Sequence, residues 1–339
     1  MTSILHGFLI GIANIIPGVS GGTMALMLGI YEKLLSAISG INGKFIIQFI
    51  AALKSGVKPT SRFLASHNIY WLASIALGAL VAIVLTSSLI TYLMSAWHDP
   101  TYGFFLGLVL FSIVVPLKML KARPQKAGIA AFIVAMVMTL AITNSLSADE
   151  KAANALAKHE LKISANFEDS NAATETAAKV PPSAFDTYFP MTSLGQILPM
   201  FLAGALAISA MILPGISGAF VLLLIGSYFE ILEAIAERNM IVIGAVGAGC
   251  IVGLLLFTKL LNYVLAKFHD QTVMSLIGLM VGSLFGLWPF QRFITVGGRR
   301  IDLEPIVPAI DNNFYLTILS FVAAGTLVLV FLKLDNTSN

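Results

Sequence analysis

Cysteine is nearly absent. Cys250 is the single one in 339 residues, which excludes an intrachain disulfide and a cysteine-based metal cluster. Charge is scarce too: Asp, Glu, Lys and Arg make up 11% of the chain, against about a quarter in soluble domains. That shortage excludes a water-soluble enzyme, a disordered chain and a nucleic-acid binder, and a net charge of +3 is too small for binding a phosphate backbone. Enzyme signatures are missing as well. There is no HExxH, no Walker lysine and no Gly-x-Ser-x-Gly elbow, and the five histidines are scattered. No metal site and no cofactor is expected. The opening MTSILHGFLIG lacks the basic region and small-residue cleavage site of a signal peptide. What the chain has in abundance is apolar sequence, 58% of residues at a mean hydropathy of +0.90, the composition of a multi-pass membrane protein.

Six apolar runs approach the length needed to cross a hydrocarbon core of about 30 Å: Trp71–Tyr92, Tyr102–Leu117, Gly128–Ile142, Met240–Leu261, Val273–Leu287 and Phe314–Leu332. Two further runs are interrupted. Ile4–Ile38 is broken by Pro17-Gly18-Val19-Ser20-Gly21-Gly22, and Ile197–Ile235 by Pro214-Gly215-Ile216-Ser217-Gly218. At about 1.5 Å per residue, the limb before Pro17 is too short to span. Both runs are read as re-entrant hairpins, in which non-helical backbone is tolerated only inside protein or beside a wet cavity.

Residues 146–193 differ in character. They are polar and Ala-rich, with Asp149, Glu150, Glu160, Glu168, Asp169, Glu175 and Asp186 set against Lys151, Lys158, Lys162 and Lys179. They read as an extramembrane linker between a first membrane repeat (residues 1–145) and a second (residues 194–339).

The halves repeat. A shift of 197 places Pro17, Gly18, Ser20, Gly21, Gly29 and Tyr31 over Pro214, Gly215, Ser217, Gly218, Gly226 and Tyr228. A shift of 171 places His98, Asp99, Thr101 and Gly107 over His269, Asp270, Thr272 and Gly278. Each half then reads as one hairpin and three crossings. Three is odd, so the second half enters from the opposite face, giving an all-α integral membrane fold built as an inverted repeat. Charge supports this. With the first hairpin opening inward, the inner face receives twelve Lys and Arg against three acids, and the outer face eight against fourteen. The termini are then cytoplasmic and the 146–193 insert extracytoplasmic.

In Pro17–Thr23 the proline ends one helix, the glycines permit a tight turn, and Ser20 or Thr23 can cap the next, leaving backbone N–H groups for an anion. The candidate substrate-binding set is Asn14, Pro17, Gly18, Ser20, Gly21, Gly22 and Thr23, with Pro214, Gly215, Ser217 and Gly218 from the second copy. The alternative use of such a turn is close helix packing. Asn14 is a ligand group or a helix-to-helix hydrogen bonder, and Tyr31 and Tyr228 read mainly as interfacial aromatics, with a role at the site as the alternative. Glu32 is either paired with Lys33 or a loop lysine, or the site of a coupling proton. Arg292, Arg299 and Arg300 either gather anionic headgroups or pair with Asp302 and Glu304. His98-Asp99 and His269-Asp270 are helix N-caps or proton-responsive gates. The small-residue spacing of Gly244, Ala248, Gly249 and Gly253, and of Gly278, Gly282 and Gly286, is that of packed membrane helices.

GIANIIPGVSGGTMALMLGIYEKL (Gly11–Leu34) and LPGISGAF (Leu213–Phe220) resemble a bacterial membrane family long catalogued only as a domain of unknown function, whose members are described as polyprenyl-phosphate (undecaprenyl-phosphate) transporters. The resemblance covers nearly the whole chain outside the insert. It implies a polyprenyl-phosphate lipid as partner, carried from the outer to the inner leaflet of the bacterial cytoplasmic membrane for recycling in cell-envelope synthesis. Coupling to a proton or sodium ion would offset the cost of moving an anion inward against the membrane potential, about 2.3 kcal/mol per charge per 100 mV. The residues alone leave two alternatives open, an ion-coupled carrier of a small soluble anion and a membrane enzyme acting on lipid phosphate.

Overall fold

The computed structural model describes residues 2–15, 20–144, 156, 193–236, 238–296 and 299–337. Its first half runs α1 (Thr2–Ile15), α2 (Gly21–Met27), α3 (Tyr31–Ser39), α4 (Gly43–Lys54), α5 (Val57–Ser66), α6 (Ile69–Ala96), α7 (His98–Ser112), α8 (Val114–Met119) and α9 (Lys126–Thr143). The second runs α10 (Ser193–Ile212), α11 (Gly218–Leu224), α12 (Tyr228–Ala236), α13 (Met240–Lys267), α14 (His269–Ser283) with a 3-10 turn at Leu284–Leu287, a β-hairpin of β1 (Gln291–Val296) and β2 (Arg299–Pro305), and α15 (Asn312–Thr337). The 146–193 insert lies almost wholly outside the described residues.

Among the described residues six helical stretches are long and apolar enough to cross a membrane: α6, α7 with α8, α9, α13, α14 with its 3-10 turn, and α15. They coincide with the six apolar runs but extend beyond most of their ends, because a first turn such as His98-Asp99 is helical without being apolar. Large side chains on their outer faces are exposed, Leu80, Val84 and Leu85 on α6 and Ile251, Leu256 and Leu260 on α13 among them. Such a surface is stable only against lipid. Hydroxyls in the spans return their protons to the preceding turn, Thr86 to the Ala82 carbonyl, Thr139 to Ala135 and Thr258 to Leu254, so none of these needs water.

The two halves use matching elements. α2 and α11 have seven residues each, α3 and α12 nine, α6 and α13 twenty-eight, α7 and α14 fifteen. Backbone angles agree at equivalent joints: Trp97 sits at φ −132°, ψ 47° and Phe268 at φ −129°, ψ 51°. Packing matches too. α1 lies along α6 as α10 lies along α13, whereas α7 crosses to α15 and α14 crosses to α9. The last helix of each half therefore belongs spatially to the other half. Glycines make these seams close: Gly7 abuts Ile75 and its equivalent Gly204 abuts Val246, while Gly78 abuts Ile4 and Gly249 abuts Phe201. α14 is the most enclosed crossing, and Val273, Leu276 and Met280 pack there against the interior with Val109, Leu26 and Leu35.

Two features were not foreseen from the sequence. The 26 additional residues after the first hairpin form the short helices α4 and α5. Gln291–Val296 and Arg299–Pro305 form an antiparallel pair in which Arg292 faces Glu304, the one departure from helix among the regular elements of the described residues.

Candidate functional site

The interrupted regions break where proline and glycine dictate. α1 is about 21 Å long and ends at Ile15, and α2 starts at Gly21; Pro17 and Gly18, in the expected ligand set, lie outside the described residues. Ser20 is the N-cap of α2, its backbone extended at φ −110° and ψ 153°, and its Oγ accepts the Thr23 N–H at 3.2 Å. The Thr23 hydroxyl lies 3.1 Å from the same oxygen. Asn14, on the last turn of α1, accepts the Gly21 N–H at 3.0 Å and so closes the first hairpin across its own break.

The tips of the two hairpins touch. Ser20 donates its hydroxyl to the Leu213 carbonyl at 3.1 Å and accepts the Gly215 N–H at 3.3 Å, joining residues almost 200 positions apart. Tyr31 adds a second link by donating its hydroxyl to the Ile212 carbonyl at 3.2 Å. Gly22 makes the approach possible, since a Cβ there would run into the Ile212 carbonyl oxygen. Gly215 adopts φ +84°, and a Cβ on it would stand 2.7 Å from the Leu279 carbonyl oxygen. Ser20 is 5% exposed and Thr23 1%, so this polar node is sealed within apolar surroundings. The second tip is poorer. Ser217 heads α11 without making a side-chain cap, and Pro214 and Gly218 are buried, the latter against Ala207.

Three readings need correction. Tyr31 is not an interfacial aromatic: it is 2% exposed and serves the contact between tips. Glu32 pairs neither with Lys33 nor with a loop lysine. Its Oε1 lies 3.2 Å from His269 Nε2, and Lys33 instead lies over the Trp71 ring. Asp99 and Asp270 are not N-caps, a position held by Trp97 and Phe268. They reach outward. Asp270 accepts the Lys121 and Ala122 N–H groups at 3.0 and 3.1 Å, just ahead of α9, and Asp99 accepts Asn313 Nδ2 at 2.6 Å, in the first turn of α15. Each aspartate thus ties its helix to the helix it packs against from the other half. His269 lies between Asp270 (3.0 Å) and Glu32, an arrangement that both ring nitrogens satisfy as donors only in the charged form.

Arg292 pairs with Glu304 at 2.9 Å across the β-hairpin, far from the tips in sequence and largely exposed. Arg299 and Arg300 belong to β2, and their side chains lie outside the described residues. Reasoning from residue types missed the Leu213 and Ile212 carbonyls, because every residue has one and only the fold aims them. A signal for Tyr31 did exist in its place two residues past Gly29 in a run of buried positions. Among the described residues the Ser20 hydroxyl is partnered by Thr23, Leu213 and Gly215, and none of these is a base that could activate a nucleophile.

Two broken hairpins meeting tip to tip inside a shell of apolar crossing helices define a multi-pass integral membrane protein with an enclosed polar centre. The chain belongs to the VCA0040-like family, described as undecaprenyl phosphate translocase-like, whose model matches residues 10–301. It is 29% identical over 313 residues to the polyprenyl-phosphate transporter of Vibrio cholerae serotype O1, covering 92% of this chain and 85% of that protein. It is 32% identical over 297 residues to the polyprenyl-phosphate transporter of Staphylococcus aureus, covering 85% and 86%. No solved structure shows significant similarity to it.

Proposed function

We propose that this protein moves a polyprenyl phosphate, undecaprenyl phosphate in particular, from the outer to the inner leaflet of the bacterial cytoplasmic membrane. The observation that carries the reading is the contact between tips at Ser20, joined to the names of the two relatives. A phosphate arriving between the tips takes as its donors the Ser20 hydroxyl and the Gly215 N–H, which otherwise serve one another's tips. Thr23, Gly21, Gly22, Ser217 and Gly218 line the same place. The exchange keeps both donors paired, as burial requires, and gives up the bond from Ser20 to the Leu213 carbonyl.

The two halves act as an inverted repeat that rocks about this node, exposing the headgroup first to one leaflet and then to the other. The lysine-rich loops and both termini face the cytoplasm, and the 146–193 insert lies outside. A coupling proton or sodium ion offsets the electrical work of inward anion movement, with Glu32 beside His269 as the proton site.

The test is a leaflet assay in proteoliposomes holding labelled undecaprenyl phosphate, with wild type beside Ser20→Trp and the recovered lipid analysed for chemical change. Faster equilibration of intact lipid, lost in the variant, is the expected result. Altered lipid would establish an enzyme instead. No acceleration, with or without pH and sodium gradients, would favour a carrier of a soluble anion.

A further inference from the structure

The most unusual surface of the molecule lies away from the tips, in the helix pair that only the first half possesses. No residue between Lys33 and His98 is acidic, and α4 with α5 carries Lys44, Lys54, Lys58 and Arg62, all exposed. Neither helix contains a buried residue. α4 rests on α5, and α5 rests against α6. The inner side of the pair is held by rings: Phe45 and Phe63 have centroids 5.0 Å apart, Phe63 and His67 4.2 Å.

The outer side is apolar and open. Ile46, Ile47, Ile50 and Leu53 occupy one arc of α4 at 100° per residue and are about half exposed or more, and Val57 continues the surface into α5 at 86%. Lys44 and Gln48 fall on a different arc of α4, Lys54 ends the apolar arc at the last residue of the helix, and Lys58 and Arg62 stand one turn apart on α5. An apolar arc beside an arc of cations is the pattern of a helix lying in the membrane–water interface. α4 is about 18 Å long, too short to span, and it leaves α3 at a bend of 70°. In the second half α12 passes to α13 through a short turn, so this device serves one leaflet only.

We propose that α4 and α5 lie flat in the inner-leaflet interface as a docking surface for anionic phospholipid headgroups. The apolar arc sets the depth, and Lys44, Lys54, Lys58 and Arg62 select the headgroups. Charge complementarity favours this occupant. The cytoplasmic leaflet presents negative headgroups beside an apolar layer, which matches cations and an apolar arc on one surface. The assignment to the inner leaflet rests on the orientation proposed above, whereas depth and lipid selectivity do not.

The experiment uses the full-length protein with Cys250→Ser, carrying a single fluorescent label at Ile50→Cys or at Gln48→Cys, in nanodiscs of mixed phosphatidylglycerol and phosphatidylcholine. Depth is read with lipids brominated at defined acyl positions and with aqueous iodide. Selectivity is read as the ratio of quenching by headgroup-labelled phosphatidylglycerol to that by phosphatidylcholine. The Ile50 label should be quenched best by shallow acyl bromines and the Gln48 label by iodide. The phosphatidylglycerol preference at Gln48 should fall about fivefold for each cation nearest the label that is replaced by glutamine, and should vanish in the quadruple variant while depth is retained. Mid-bilayer quenching at Ile50 would overturn the proposal by making α4 part of a span. Equal iodide access at both labels, or a lipid preference unchanged in the quadruple variant, would also overturn it. Labelling of Gln48→Cys by an impermeant maleimide in intact cells would overturn the leaflet assignment alone. None of these readings depends on transport, so a failed leaflet assay and a failed docking surface are told apart.

Discussion

Removing the Ser20 hydroxyl tests whether the contact between tips stabilises the closed arrangement. The oxygen has two jobs in one place: it caps α2 through the Thr23 N–H, and it bridges to Leu213 and Gly215. Losing an N-cap to alanine costs about 1 kcal/mol. Losing the bridge leaves a buried carbonyl and a buried N–H without their partner, about 1 kcal/mol each, the Gly215 share being smaller because that bond is long at 3.3 Å. Ser20→Ala should therefore destabilise by about 2–3 kcal/mol. Ser20→Gly separates the two jobs, because glycine caps almost as well as serine; it should lose only the bridge, about 1–2 kcal/mol. Tyr31→Phe removes the neighbouring link to Ile212. Combined with Ser20→Ala it should cost less than the sum by about 0.5–1 kcal/mol, since one separation of the tips forfeits both bonds. Thermal unfolding in nanodiscs, followed by the reactivity of Cys250 toward a thiol-reactive dye, reads wild type and the four variants without adding a cysteine. Melting of Ser20→Ala with wild type, or strict additivity with Tyr31→Phe, would refute the bridge as a stabilising contact.

Three further outcomes are expected. Gly22→Ala forces a methyl group into the Ile212 carbonyl and should cost about 1–3 kcal/mol, whereas Gly43→Ala, with open space around it, should be within about 0.5 kcal/mol of wild type; equal melting of the two would show that the tips yield freely. Asp270→Ala frees the Lys121 and Ala122 amides, so limited trypsin digestion should cut faster after Lys121, and an unchanged digestion rate would remove Asp270 as the anchor of that loop. Ser227 is fully buried and its hydroxyl has no partner among the described residues, so Ser227→Ala should stabilise by about 1 kcal/mol; a loss of stability or of lipid transport would show that the hydroxyl has a use.

Much of the architecture was legible in the residues. The six crossings show as apolar runs because a span has to be apolar over its full length whatever it packs against. The two breaks show because Pro17 and Pro214 cannot continue a helix and the glycines around them relax the backbone. The α4–α5 pair was legible in principle from Ile46, Ile50 and Leu53 at helical spacing opposite Lys44 and Gln48, but its lysines read more readily as loop charge. The strand pair left only a weak trace, the alternation of Ile301-Asp302-Leu303-Glu304. The Glu32–His269 pair left none, because the partners lie 237 positions apart and exposed pairs obey no spacing rule.

The sequence by itself determined that the chain lives in a membrane, that it has two related halves, and that each half breaks a helix at a Pro-Gly-x-Ser-Gly turn. These are local facts: hydropathy, proline and glycine act through the backbone of their own segment. Only the tertiary structure decided that the breaks meet, that Ser20 spends its hydroxyl on the Leu213 carbonyl, and that α9 and α15 pack in each other's halves. Those outcomes depend on carbonyl direction and on glycine-to-backbone contact across long separations. Every residue carries the same carbonyl, so no choice of side chain announces where it will point.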